Sequence, residues 1–118
     1  MARALIAVDT ARTRVSATWT AFQSLLESGQ TISYERRVQA LYEAASALTN
    51  CTSAIYELMG VNGGGTMRSD GDLQRYFRDL LAMRNHPAAN IEFSAGLYAQ
   101  ARLGVEPPPF VPTQRYVL

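Results

Sequence analysis

Apolar side chains at alternating steps of three and four residues predict two long helices in the first half of the chain. The first helix carries a stripe that is interrupted only at Arg12 and consists of Leu5, Val8, Val15, Trp19, Phe22 and Leu26. It ends near Gly29, because glycine readily adopts the left-handed conformation that follows a helix. The second helix begins after Thr31 or Ser33, and its unbroken stripe consists of Val38, Leu41, Ala45, Leu48, Thr52, Ile55 and Met59.

Two shorter helices are predicted after a glycine-rich break. The segment from Gly60 to Thr66 cannot continue a helix cheaply, because each glycine costs about 1 kcal/mol relative to alanine there. Ser69 or Asp70 can then cap a third helix, whose apolar face consists of Leu73, Tyr76, Phe77, Leu80 and Leu81 and which runs from Asp72 to about Arg84. Pro87 suits the first turn of a fourth helix, which runs to Leu103 and closes with Gly104.

The order of these elements predicts an all-α fold. Short connections make consecutive helices antiparallel, so residues 1–104 are predicted to form an antiparallel four-helix up-and-down bundle. Residues 105–118 contain four of the five prolines and are predicted to form an extended C-terminal arm. No internal repeat and no alternating strand pattern is present.

Composition excludes several classes of protein. The chain is 47% hydrophobic with a formal charge of +1, which favours neither disorder nor binding to polyanions such as nucleic acids. The lone Cys51 allows no internal disulfide and no thiolate metal cluster, and no apolar run reaches the ~20 residues of a membrane span. The N-terminus lacks the pattern of a secretory signal. We therefore expect a soluble, cytoplasmic protein without a metal, a membrane or a nucleic-acid partner.

The glycine run is the first candidate for chemistry. Gly63, Gly64 and Gly65 let backbone amides approach a ligand closely, and such amides can hydrogen-bond a phosphate. The run matches neither a P-loop nor the spaced glycines of a dinucleotide-binding turn. Glycine-rich loops that join helices are more often plain turns.

Charged residues on the third helix are the second candidate. Arg75 and Asp79 stand four residues apart and can form a surface pair worth only ~0.3–0.5 kcal/mol. An arginine held by a carboxylate can instead present its planar donors to a phosphate or to another subunit. Spacing alone leaves both interpretations open.

His86 is the third candidate and the only histidine of the chain. A metal centre with several histidine ligands is therefore excluded. A single histidine at a helix start is usually structural or merely exposed. The helix N-terminus nevertheless disfavours the protonated imidazole, and a neutral ring suits hydrogen bonding or proton transfer.

The order of these motifs resembles the C-terminal four-helix domain of acyl-CoA dehydrogenases, from Leu5 to Gly104. The resemblance is carried by two long helices, the glycine loop, the helix containing Arg78 and Asp79, and a final helix. It implies that Gly63 and Gly64 lie near the flavin nucleotide of a neighbouring subunit. It also implies that the helix with Arg78 leads towards the catalytic loop.

One departure from that family points to a different reaction. The resemblance would place a catalytic glutamate soon after Asp79, but residues 80–90 contain no carboxylate. The order Arg78, His86, Asn90 instead looks like the flavin-dependent monooxygenases of this superfamily. Such enzymes take reduced flavin, FMN or FAD, from a separate reductase and hydroxylate aromatic or related small substrates. The resemblance implies a catalytic His86 that faces flavin and substrate, and a cofactor site that includes Gly63, Gly64, Arg78 and Asn90.

The resemblance also implies what lies outside these residues. Relatives place an N-terminal helical domain and a middle β-domain before the bundle, so the chain is expected to be inactive alone. The chain is therefore expected to be an excised domain, a proteolytic remnant or half of a split enzyme. Its large aromatic residues predict a homo-oligomer or pairing with those domains. The alternatives are a non-catalytic helical interaction module and an acyl-CoA dehydrogenase-like fragment.

Overall fold

The computed structural model describes residues 2–67 and 71–108, which form four α-helices and two short 3₁₀ turns. The helices are α1 (Ala2–Glu27), α2 (Tyr34–Val61), α3 (Asp72–Arg84) and α4 (Ile91–Arg102). The 3₁₀ turns span Gly64–Met67 and Pro87–Ala89. These two stretches of chain contain no β-strand, and the predicted all-α bundle is confirmed.

Side-chain contacts show that α1 runs antiparallel to α2. Thr18 donates a hydrogen bond to Glu43, and Gln39 donates a second one to the same carboxylate at 3.0 Å. Nearer the N-terminus of α1, the guanidinium of Arg3 lies 3.9 Å from the carboxylate of Glu57, near the C-terminus of α2. Earlier residues of α1 therefore meet later residues of α2, as two helices joined by a short turn should do.

Contacts between side chains also place α4 antiparallel to α2, whereas strict alternation of the four helices would make these two parallel. Arg102, at the end of α4, forms an ion pair with Glu35 at the start of α2, with an N–O distance of 3.1 Å. One to two helical turns from this ion pair, the rings of Tyr42 and Tyr98 stack with their centroids 5.8 Å apart. Because both side chains of the ion pair are largely exposed, the stacked tyrosines hold these helices together more than the charges do.

The helix at the centre of the bundle is α2. Each of the other three helices packs against it, whereas they make little contact with one another within the described chain. Every member of the apolar stripe predicted on α2 is buried or half-buried, so that prediction is correct. The fully buried residues of α2 are Val38, Ala45, Thr52 and Ala54.

The apolar stripe predicted on α1 faces away from the bundle. Trp19 is 66% exposed and Leu5 is 62% exposed, and of the six predicted positions only Phe22 is half-buried. The residues of α1 with the lower exposure are mainly small, namely Ala4, Ala7, Ala11, Thr18 and Ala21, together with the larger Phe22 and Leu25. Periodicity detected the apolar stripe but not which face of α1 packs on α2. The small side chains of the opposite face let α1 approach α2 closely.

Helix ends follow capping chemistry closely. The side chain of Ser33 accepts a hydrogen bond from the Arg36 amide, which selects Ser33 from the two predicted starts of α2. Gly29 and Gly104 have φ values of 73° and 71°, the left-handed conformation expected after a helix. The glycine-rich break begins later than predicted, because α2 continues through Gly60 and Val61.

The predicted fourth helix is interrupted. Pro87 opens a 3₁₀ turn rather than the final helix, and α4 begins only at Ile91. The interruption lies at Asn90, whose backbone is extended and whose side chain accepts a hydrogen bond from the Phe93 amide at 3.0 Å. An asparagine side chain that caps a helix competes with the continuous helix that periodicity suggests.

Two predicted features lie partly outside the described residues. The proposed caps of the third helix, Ser69 and Asp70, are not among them, and Gly71 precedes α3 without a side-chain cap. Residues 105–108 are described and have no regular secondary structure. The rest of the predicted arm, residues 109–118, lies outside the described part. No helix in residues 2–67 and 71–108 combines the length and apolar character that crossing a membrane requires.

Candidate functional site

The connection between α3 and α4 surrounds a cavity of about 300 Å³. Residues from the end of α3, the 3₁₀ turn and the start of α4 form its lining, which consists of Arg84, Asn85, His86, Pro87, Ala89, Asn90, Ile91 and Glu92. Two of the residues singled out in the sequence, His86 and Asn90, therefore lie in one site. A short segment of contiguous chain builds this cavity.

The orientation of His86 is set by the 3₁₀ turn that follows it. Its backbone is extended, with φ −66° and ψ 136°, and Pro87 occupies the first position of the turn. The backbone amide of Ala88 donates a hydrogen bond to Nδ1 of His86 at 3.2 Å, and the amide of Ala89 donates to the His86 carbonyl at 2.8 Å. The imidazole thus replaces a capping side chain, and the ring is held against the start of the turn.

Asn90 caps the N-terminus of α4 with its side chain, as His86 caps the 3₁₀ turn. Its Oδ1 atom accepts a hydrogen bond from the Phe93 amide. Both side chains are exposed, yet each has its orientation fixed by a backbone amide two or three residues later. The cavity therefore presents polar groups that are already positioned before a ligand binds.

Opposite charges stand at two ends of the cavity lining. Arg84 is the basic residue of the last turn of α3, and Glu92 is the acidic residue of the first turn of α4. Each charge is favourable at its own helix terminus because it opposes the partial charge of the helix dipole. Neither residue was predicted as a site residue from the sequence. Their positions, each two residues from His86 or Asn90, could have indicated that they line the same site.

The glycine run does not join this site. Gly63 and Gly64 lie between the end of α2 and the start of α3, whereas His86 follows the end of α3. The 13 residues of α3 are about 18 Å long at a rise of 1.5 Å per residue, so the two regions are separated by roughly that length. A ligand that contacts both regions of the same chain would have to span roughly this distance.

Gly63 and Gly64 differ in whether their backbone conformation requires glycine. Gly63 has a φ of 71°, a conformation that glycine adopts without strain and that ends α2. Gly64 has no such backbone requirement, and a Cβ atom built on it meets nothing within 4 Å in the described chain. The plain-turn interpretation accounts for Gly63 but gives no reason for Gly64.

The charged face of α3 is arranged differently from the predicted pair. The guanidinium of Arg75 lies 3.5 Å from the carboxylate of Asp72 and 5.1 Å from the ring centre of Tyr76. Asp72 therefore takes the place that spacing assigned to Asp79. Arg78 is exposed on α3, two helical turns before the His86 cavity.

Other reactive groups in the described residues do not form a second centre. Cys51 is half-buried on α2, and burial raises the pKa of its thiol above the ordinary value. A raised pKa keeps the thiol protonated and lowers its nucleophilicity at neutral pH. The described part of the chain contains no group of three or more His, Cys, Asp or Glu side chains arranged to hold a metal ion.

Comparison with protein families gives one match that covers most of the chain. The family model described as "Acyl-CoA dehydrogenase, C-terminal domain" matches residues 1–91. That match includes both long helices, the glycine run, α3 and the cavity residues as far as Ile91. No curated protein sequence gave a significant match.

Several solved structures share the fold. The HsaA monooxygenase from M. tuberculosis is 25% identical with a TM-score of 0.83, and the match covers 93% of this chain and 28% of that one. The 3-HSA hydroxylase from Rhodococcus sp. RHA1 is 26% identical with a TM-score of 0.85, with 91% and 28% covered. XiaF from Streptomyces sp., in complex with FADH2 and glycerol, is 23% identical with a TM-score of 0.86, with 96% and 28% covered. The chain thus spans little more than a quarter of the length of these proteins.

The capping role of Asn90 gives a testable expectation. Replacing Asn90 with Ala should lower the free energy of unfolding by about 1 kcal/mol in urea denaturation, because the Phe93 amide loses its partner. Asn90→Ser should retain most of the stability. Asn85→Ala is the matched control, since Asn85 caps α3 through its backbone amide. Equal losses for Asn85→Ala and Asn90→Ala would contradict the capping role.

Proposed function

The chain belongs to the acyl-CoA dehydrogenase C-terminal domain family, and on this premise we propose that it is the C-terminal part of a reduced-flavin-dependent monooxygenase. The proposed enzyme hydroxylates an aromatic or related small organic substrate with O₂. Two proteins of the same fold, at 25% and 26% identity, are a monooxygenase and a hydroxylase. The observation that carries the proposal is the cavity in which an oriented His86 stands beside Asn90.

The cavity fits a flavin enzyme as one wall of a larger site. His86 and Asn90 are exposed and oriented, which suits contact with the ring system of a flavin or with the substrate beside it. When bound, reduced flavin supplies the electrons that activate O₂ for hydroxylation. XiaF, which has the same fold, was solved with FADH2. We propose that a separate flavin reductase delivers the cofactor, which is FMN or FAD.

Gly63, Gly64 and Arg78 are proposed to contact a flavin held mainly by a neighbouring subunit. Because roughly 18 Å separate the glycine run from His86, we propose that these two regions of one chain face different flavin molecules. The open space around Gly64 leaves room for a ligand to approach its backbone. We also propose that residues 1–104 act as the bundle domain, that residues 105–118 form an arm, and that the enzyme is cytoplasmic.

Acyl-CoA dehydrogenation is a second candidate function, and one observation supports it. Residues 80–90 lack a carboxylate, but Glu92 lines the cavity beside His86 and Asn90. A carboxylate in that position suits removal of a proton next to a carbonyl group. Replacing Glu92 with Gln separates the two candidates, because the assembled enzyme should lose acyl-CoA oxidation in one case and retain hydroxylation in the other.

We propose that the chain assembles into a homo-oligomer or pairs with the further domains through the outer face of α1. Five large apolar side chains of the predicted α1 stripe are exposed, and an unpaired apolar helix face of this length is unusual for a monomer. The purified chain should scatter light as an oligomer at micromolar concentration. Trp19→Gln should weaken the assembly, while Thr20→Gln on the neighbouring exposed face should not. A strictly monomeric chain would contradict the proposal that the outer face of α1 mediates self-assembly.

The isolated chain is expected to be inactive. The cavity is formed by one short segment, so the opposing walls of a flavin and substrate site are absent from the described residues. The purified chain of 118 residues should therefore neither bind reduced FMN or FAD tightly nor hydroxylate phenol. Tight, stoichiometric binding in an anaerobic titration would instead indicate a self-sufficient small flavoprotein and would contradict the proposal.

Replacement of His86 with Ala tests the proposed function directly. In the enzyme assembled with its other domains and supplied with reduced flavin, hydroxylation should fall by ~10²–10⁴-fold if His86 transfers a proton. Release of H₂O₂ per flavin oxidised should rise. If His86 only caps the turn, His86→Ala should lower stability by about 1 kcal/mol and leave turnover per folded molecule unchanged. Both quantities are measured on the same variant.

A further inference from the structure

We propose that α1 pairs with α1 of a second copy of this chain in antiparallel orientation, with Arg12 of each copy lying on the ring of Trp19 of the other. The inference rests on the proposed assembly through the outer face of α1. It deepens that proposal by naming the partner, the direction of the pair and its register. Neither the flavin nor the cavity between α3 and α4 enters the argument.

Four exposed residues of α1 are spaced by seven positions and form one row along the helix. This row, called the α1 row below, consists of Leu5, Arg12, Trp19 and Leu26. An α-helix has 3.6 residues per turn, so every seventh residue returns to nearly the same side, with a drift of about 20° per step. The row extends over about 31 Å at a rise of 1.5 Å per residue, which is most of the length of α1.

Nothing in the described chain covers the α1 row. Trp19 is 66% exposed, because the residues of α1 that pack on α2 lie on another face of the helix. The guanidinium of Arg12 has no hydrogen bond, ion pair or ring contact within residues 2–67 and 71–108. Tryptophan and arginine are the residue types that most often dominate the binding energy of protein interfaces. The composition of the row therefore indicates an interface with another helix.

The α1 row is complementary to itself when two copies run in opposite directions. In an antiparallel pair centred on the middle of the row, Leu5 of one copy faces Leu26 of the other. In the same pair, Arg12 faces Trp19. A guanidinium is attracted to the face of an indole ring, and a two-fold axis repeats every contact, so this contact forms twice. A parallel pair in register would instead bring the two Arg12 side chains together and repel like charges.

Other antiparallel registers satisfy fewer residues of the row. A shift of seven residues in one direction places Arg12 against Arg12 and leaves Leu26 without a partner. The opposite shift places Arg12 against Leu26 and leaves Leu5 without a partner. Only the centred register pairs all four residues. Because the same row supplies both the cation and the ring, a second copy of the chain is the occupant that matches it.

Cysteine cross-linking tests the direction and the register in the purified chain of 118 residues. Cys51 is first replaced with Ser, so that only introduced thiols react. With Leu5→Cys and Leu26→Cys in one chain, oxidation should join two copies, because the two sites of a single chain lie about 31 Å apart. An equal mixture of the two single variants should give a covalent heterodimer. Neither single variant should cross-link with itself.

Thr13→Cys and Thr20→Cys together provide the matched control. Both positions are exposed on α1 and seven residues apart, but they lie outside the α1 row. In the same Cys51→Ser background, this pair should stay monomeric on a denaturing gel after identical oxidation. Circular dichroism of each variant should equal that of the unmodified chain, which separates a loss of assembly from a loss of folding.

A double-mutant cycle tests the contact between Arg12 and Trp19. Within one chain these residues are about 10 Å apart along α1 and do not touch, so a coupling between their substitutions reports a contact between copies. Arg12→Gln and Trp19→Leu should each raise the dimer Kd by about 10-fold, and the double variant by much less than their product. Sedimentation gives the four Kd values. Trp19 is the only tryptophan, so its emission should also shift to shorter wavelengths as the unmodified chain dimerises.

Four results would overturn the inference. Self-cross-linking of either single cysteine variant would indicate a parallel pair, and an oligomer in which no cysteine of the α1 row reacts would indicate another face. Independent effects of Arg12→Gln and Trp19→Leu would remove the contact between cation and ring. A strict monomer would indicate that further domains cover the row. The proposed hydroxylation is tested separately in the assembled enzyme, and its failure would leave the cross-links unchanged.

Discussion

The close packing of three helices against α2 is the constraint on which the rest of the structure depends. Small residues make this possible: of the eight buried residues in the described chain, four are alanine and two are Ser94 and Thr52. Their helices can approach closely, but such side chains bury little apolar area. Because α1, α3 and α4 hardly contact one another, no shared core collects the large side chains. The described bundle therefore buries little apolar area of its own, and the chain spans 28% of each of the two matched structures.

The cavity depends on the way the chain leaves one helix and enters the next. Between α3 and α4 the backbone is extended twice, at His86 and at Asn90, and each time the following turn needs an acceptor for its unpaired amides. The two side chains meet that need locally, which orients them without support from distant elements. The same bonds occupy Nδ1 of His86 and one of the two lone pairs of Asn90 Oδ1, so capping affects which hydrogen-bonding groups of these side chains remain free. The two side chains that cap these turns are also two of the residues that line the cavity.

The length of α3 separates the candidate residues into two regions. Gly63 and Gly64 stand before this helix and His86 stands after it, so the chain offers two partial surfaces rather than one enclosed pocket. Gly63 is explained by its positive φ, whereas Gly64 has no explanation within the described chain. A complete site would have to combine each partial surface with residues from elsewhere. The proposed oligomer and the proposed flavin site are thus linked by geometry, since both require a second surface beside this bundle.

The sequence by itself determined the helices, most of their ends and the family. The stripe of α2 was correct at every position because that helix is contacted from several sides, and Ser33, Gly29 and Gly104 followed local capping rules. Only the tertiary structure decided which face of α1 is covered, since an alanine face and a leucine face have the same period and close packing selects the smaller one. It also decided that Asn90 interrupts the last helix and that His86 and Asn90 share a cavity without Gly63 and Gly64. Periodicity reports local conformation, whereas the distance between two sites depends on the direction and length of the helix that lies between them.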